Sequence, residues 1–138
     1  MASFGIDASA TLPWRFDDEA IAYTEGLLNR CAAGGEVMGA SVWPLESTNG
    51  LLSAQRRGRV TAERVEQFLV QILRLCIHVE PFTTQQAVRD VRQLAQTYQL
   101  TAYDAAYLEL ALHYNLPLAT LDIELKQASC AVGVRLIE

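Results

Sequence analysis

Lysine is nearly missing from this chain: ten of its eleven cationic residues are Arg, and only Lys126 is Lys. Against sixteen acids this leaves a net charge of −5, which excludes a generic basic coat for nucleic acid. A local basic face stays open. The Arg bias suits bidentate phosphate binding, and GC-rich coding explains it equally well. Histidine is as scarce, with only His78 and His113, so serine or cysteine nucleophiles lack a placed base. Cys76-x-His78 offers two ligands where zinc needs more. The three cysteines, Cys31, Cys76 and Cys130, are an odd number without paired spacing. They read as small buried hydrophobes in a reducing compartment, the cytoplasm, rather than as a disulfide framework. No apolar run approaches the ~20 residues of a membrane span, and the best candidate, Phe68 to Val79, is broken by Gln71 and Arg74. The N-terminus has no basic region and meets Asp7 at once, so a signal peptide is not expected. Phosphate-cradling glycine motifs, a G-x-S-x-G elbow and internal repeats are missing too.

What remains is 138 residues that are 51% hydrophobic and 20% charged, the balance of a folded domain and the reverse of a disordered one. A single domain over residues 1–138 is expected. Ser3 to Ile6 reads as a short apolar strand ending at Asp7. A helix is expected from Asp18 to Cys31, stopped by Gly34-Gly35, then a strand over Val37 to Val42. Pro44 stands in the first turn of a helix that runs to about Arg57 and ends at Gly58. Thr61 caps the next helix, whose Val65, Phe68, Leu69, Ile72 and Leu73 form one apolar stripe. Cys76 to Val79 is a third strand. Thr83-x-x-Gln86 and Thr101-x-x-Asp104 are capping boxes, opening helices to about Tyr98 and Asn115. Pro117 to Thr120 is a fourth strand, Asp122 opens a short helix, and Val134 to Ile137 is a fifth strand. Strands alternating with helices imply a mostly parallel, about five-stranded sheet with helices on both faces.

On such a sheet the strand ends and the starts of the following helices share one edge, where ligands bind. Asp7, Glu46, Asp104 and Asp122 all fall there. Each also has an ordinary structural reading: an Asx-turn or cap for Asp7, a helix-dipole partner for Glu46, a capping box for Asp104 and an N-cap for Asp122. Together they make an acidic pocket. Two carboxylates ~4 Å apart repel by about 4 kcal/mol at an effective dielectric of 20, so the group calls for a cation or raised pKa values. Oxygen ligands suit Mg²⁺ or Mn²⁺, and such ions serve metal-assisted phosphodiester hydrolysis.

These residues carry a likeness to a known family. Ile6-Asp7-Ala8-Ser9, Pro44-x-Glu46-x-x-Asn49, Thr101-Ala-Tyr-Asp104-Ala-Ala-Tyr-Leu-Glu109 and Leu118-Ala-Thr120-Leu-Asp122 resemble the PIN-domain ribonucleases, most of all the VapC toxins of type II toxin–antitoxin pairs. The likeness covers essentially the whole chain and is most specific over residues 100 to 122. It implies a PIN-like three-layer α/β/α fold and a metal-dependent endoribonuclease. It further implies that Asp7, Glu46, Asp104 and Asp122 are catalytic and hold Mg²⁺ or Mn²⁺, that the Thr120 hydroxyl supports them, and that Asn49 orients Glu46 or touches RNA. An exposed helix Asn is the plainer reading of Asn49, and Glu124 is a further acid beside the set. Trp14-Arg15 departs from the usually apolar stretch there. A VapB-like antitoxin and a homodimer are implied partners, with no membrane. Arg56, Arg57 and Arg59 lie at the far end of the Glu46 helix, where they could hold a distant phosphate or simply complement the helix dipole; Arg15 is nearer in sequence. A role in RNA processing and a non-catalytic PIN-fold binding module are the alternatives. A phosphoryl-transfer receiver domain is excluded by Glu80-Pro81-Phe82, which lacks the acceptor Asp.

Overall fold

The computed structural model describes residues 3–15 and 21–138. Strand β1 (Phe4–Ile6) is buried along its whole length, as the middle of a parallel sheet requires. It pairs in parallel with β2 (Val37–Ala40), Phe4 opposite Val37, and with β4 (Leu118–Ala119), Gly5 opposite Leu118. β3 (His78–Glu80) pairs in parallel with the far side of β2, giving the order β3-β2-β1-β4. The chain steps outward from β1 through β2 to β3 and then returns to the other flank of β1. The strand order therefore reverses between β1 and β4.

Helices cover both faces. Phe4, Ile6 and Val37 pack with Ala10 of α1 (Ala8–Thr11), with Trp14 of the following 3₁₀ turn, with Leu27 and Cys31 of α2 (Ala22–Ala32), and with Val65 and Phe68 of α4 (Ala62–Leu75). On the other face, Ala40 and Leu118 pack with α6 (Ala102–Tyr114) and α7 (Ile123–Val132). α6 is buried without interruption from Ala105 to Ala111, the mark of a helix enclosed on all sides. Preceding it, a widened π-type turn (Gln86–Val91) runs into α5 (Arg92–Tyr98).

Local chemistry sets the boundaries. Gly34 (φ 90°) and Gly58 (φ 66°) end α2 and α3 (Trp43–Arg56) in the left-handed region. Thr61, Thr101 and Asp122 each accept a backbone N–H as N-caps, and Thr83 and Gln86 form a reciprocal box, with Thr83 N–H donating to Gln86 Oε1 and Gln86 N–H to Thr83 Oγ1.

Three expectations change. The fifth strand reduces to a single bridge between Leu118 and Leu136, flanked by two hydrogen bonds. The reason lies on the side of β4 that faces it: the Leu116 N–H before Leu118 is held by the Ala111 carbonyl and the Asp122 N–H beyond it by Thr120 Oγ1, so little ladder is left to extend. The α4 stripe is only half buried. Val65 and Phe68 enter the core, whereas Leu69 and Leu73 are 40% and 76% exposed, because the sheet beneath is too narrow to cover them. Cys76 and Cys130 are exposed; Cys31 is buried because it faces the core beneath the sheet with Leu27 and Val37. The expected helix start at Asp18 lies outside the described residues. Among these, no helix is long and apolar enough to cross a membrane.

Candidate functional site

The strand reversal places Asp7, just past β1, beside Thr120, just past β4. Asp7 is 3% exposed. Its Oδ1 accepts from Ser9 Oγ at 2.7 Å and from the Ala10 N–H at 3.1 Å, capping α1. Its Oδ2 accepts from Thr120 Oγ1 at 2.5 Å. The two hydroxyls also fasten the facing loop, as Leu121 N–H donates to Ser9 Oγ and Asp122 N–H to Thr120 Oγ1. The cap reading of Asp7 is thus correct and incomplete, because a cap alone needs no Thr120 from 113 residues away.

Asp122 accepts from the Leu125 N–H at 2.8 Å as the N-cap of α7. Glu46 stands in the first turn of α3, where its Oε1 accepts from Tyr107 Oη at 2.5 Å. Asp104 stands in the first turn of α6, its N–H bonded to Thr101 Oγ1.

The four acids share one electrostatic field. Burial pushes the Asp7 carboxyl up to about 6; the Thr120, Ser9 and Ala10 hydrogen bonds oppose this, and the Asp104 charge adds to it. Asp104 is also raised, first by burial, then by the charges of Asp122, Glu46 and Glu124, with Thr101 opposing. Tyr107 is raised by burial, by its hydrogen bond to Glu46 and by the charges of Glu46, Asp7 and Asp104. Mutual repulsion is what a set of gathered carboxylates produces. The side chains nonetheless stand apart: among the described residues, no three acid, His or Cys groups close around a common point. As a donor set, four hard oxygens of one charge fit a Mg²⁺ or Mn²⁺ ion and do not suit a soft metal.

Other sequence candidates lie further out. Asn49 is exposed one turn beyond Glu46, and Glu124 is exposed on α7 while adding to the field at Asp104. Arg56, Arg57 and Arg59 are exposed at the far end of α3, roughly 20 Å along a fourteen-residue helix. Arg15 ends the 3₁₀ turn Leu12–Arg15, and its carbonyl accepts from Arg64. Two participants carry no sequence-derived role, Ser9 and Tyr107. Both had a signal: Ser9 stands two residues after Asp7, and Tyr107 stands one turn after Asp104 in a largely apolar stretch of α6, where a buried tyrosine hydroxyl needs a polar partner.

A parallel sheet with Asp7 at its strand reversal, and Asp122, Glu46 and Asp104 close enough to share its field, defines an α/β protein with an acidic edge. The sequence matches the PIN domain family over residues 6–129, and the chain belongs to that family. Among solved structures, it is similar to PAE2754 from Pyrobaculum aerophilum, with a TM-score of 0.71 and 23% identity, over 92% of this chain and 79% of that one; at that identity the likeness is one of fold. No curated protein matches the chain.

Proposed function

We propose that this protein is a Mg²⁺- or Mn²⁺-dependent endoribonuclease and the toxin of a toxin–antitoxin pair. The observation that supports the reading most is the convergence of the fields of Asp7, Glu46, Asp122 and Glu124 on Asp104 and its helix neighbour Tyr107. A folded protein tolerates such repulsion for a function rather than for stability. Asp7, Glu46, Asp104 and Asp122 would hold the ion, which when bound supplies a Lewis acid for a phosphate and a lowered pKa for water.

The chain's own groups prepare that site. Ser9 and Thr120 hold Asp7 at the strand reversal. Tyr107 holds Glu46. The Thr101 cap directs the start of α6, and with it Asp104. An all-acid edge repels RNA, so substrate approach depends on the ion and on outlying cations such as Arg56, Arg57 and Arg59. A VapB-like antitoxin and a second copy of the chain are the proposed protein partners. Exposed Leu69, Val70 and Leu73 on α4 support a protein contact there, as does the neighbouring groove of ≈ 850 Å³ between α2 and α4.

The test is thermal unfolding with increasing Mn²⁺, for wild type and Asp104→Asn. Metal should raise the wild-type Tm by linkage. Asp104→Asn should melt higher than wild type without metal and respond less to it. RNA cleavage should then require the metal and be lost in the variant. A wild type that ignores Mn²⁺, with a variant that only loses stability, would sink the nuclease reading and favour a binding module.

A further inference from the structure

Tyr107 is 1% exposed and is the one phenol in the long buried run of α6. Its hydroxyl donates to Glu46 Oε1 across 61 residues of sequence, and it lies one helical turn from Asp104, on the same side of α6. It contributes a donor, not a ligand, to a group of acids. An aliphatic residue would fill an enclosed helix without a polar atom to satisfy, so the hydroxyl has to be accounted for by what it holds.

Counting lone pairs gives that account. Each carboxylate oxygen offers about two acceptor positions. Asp7 Oδ1 already takes two donors, from Ser9 and Ala10, and Oδ2 takes Thr120. Asp122 Oδ1 takes the Leu125 N–H. Glu46 Oε1 takes Tyr107. Of these oxygens only Asp7 Oδ1 has both positions filled; on Glu46 the short Tyr107 bond draws on one position of Oε1 and makes that oxygen the weaker ligand, which disfavours an even two-oxygen grip on an ion. Mg²⁺ demands six near-ideal octahedral ligands, each a single oxygen, whereas Ca²⁺ takes six to eight and readily accepts two from one carboxylate.

We propose that Tyr107 is a positioning residue that fixes Glu46 as a one-oxygen ligand and so sets the preference of this site for Mg²⁺ over Ca²⁺. The inference rests on the metal-site reading above and names the residue that tunes it. Its chemistry is separable from packing, because Tyr107→Phe keeps the ring and removes only the hydroxyl.

The experiment is calorimetric titration of the full-length chain with MgCl₂ and, separately, CaCl₂ at constant ionic strength. The proteins are wild type, Tyr107→Phe, Glu46→Gln and the double variant. Wild type should favour Mg²⁺. In Tyr107→Phe the Mg²⁺ Kd should weaken by roughly 10- to 100-fold, as for other residues that orient a ligand. Ca²⁺ should lose less or gain, so the Mg²⁺/Ca²⁺ ratio falls. On the Glu46→Gln background the same change should leave the ratio unmoved, since Tyr107 acts through Glu46. If Tyr107→Phe proves too unstable to titrate, Glu46→Asp withdraws the carboxylate from the hydroxyl and should lower the same ratio. A wild type that prefers Mg²⁺, with a Tyr107→Phe that keeps the same ratio, overturns this inference alone. A wild type that binds neither ion overturns the metal reading and this inference with it.

Discussion

Asp7 carries the clearest cost of the site at the scale of a single residue. Its carboxyl is raised from 3.8 to about 6, chiefly by burial, so the folded chain holds that proton more tightly than the unfolded chain. The resulting contribution to stability is fully present below about 3.8 and is lost as pH rises through about 6. At neutral pH the ionised group therefore destabilises the metal-free fold by about 3 kcal/mol, at 1.36 kcal/mol per pKa unit. Urea unfolding from pH 4 to 7.5 checks this: wild type should lose stability relative to Asp7→Asn as pH rises. A flat difference between the two would show that burial leaves the carboxyl unperturbed. The acids themselves were legible in the sequence because each follows a strand or opens a helix. Of their hydroxyl partners only Thr120 was expected, and only as a support for the whole set rather than for Asp7 in particular. Ser9 meets Asp7 locally, two residues on, whereas Thr120 meets it only because β1 and β4 are neighbours, and Tyr107 meets Glu46 only because the fold brings α6 beside the start of α3.

Among the elements, α3 shows how packing holds a site residue. Its first residue, Trp43, is 5% exposed, and its indole Nε1–H donates to Thr11 Oγ1 at 3.1 Å. Thr11 Oγ1 in turn donates to the Asp7 carbonyl, so the start of the Glu46 helix is tied to the end of β1. Gly39 makes this approach possible, because a Cβ there would meet Trp43 Cβ and Cγ at 3.1 Å. A hydrogen-bonded indole cannot easily give way. Gly39→Ala should therefore destabilise by about 1–3 kcal/mol, the usual penalty of overpacking, and weaken the Mn²⁺ response by displacing Glu46. Chemical denaturation with and without Mn²⁺ measures both effects, and unchanged stability would mean that Trp43 relaxes freely. Helix caps were readable in advance at Thr61, Thr83, Thr101 and Asp122, since capping is local chemistry. The fifth strand was misjudged because strand length depends on what the partner strand has left to offer.

For the molecule as a whole, the decisive feature is the order β3-β2-β1-β4, which turns four acids scattered over more than a hundred residues into one edge. The same narrow sheet leaves α4 incompletely covered, with Leu69, Val70 and Leu73 exposed at 40%, 46% and 76%. Leu73→Glu should change folding stability by no more than about 0.5 kcal/mol, as exposed substitutions do. If this face joins two copies, the variant should sediment as a smaller species than wild type at equal concentration. Identical sedimentation would remove α4 from the proposed dimer.

Periodicity, caps and punctuating glycines were enough to determine the alternation of strands and helices, the parallel sheet and the position of each acid relative to its element, because these depend on neighbours within a few residues. Tertiary structure alone decided which hydroxyl serves which carboxylate, how far the α4 stripe is buried and how long the last strand becomes. Those outcomes depend on which elements end up side by side, and no local pattern in the chain records that.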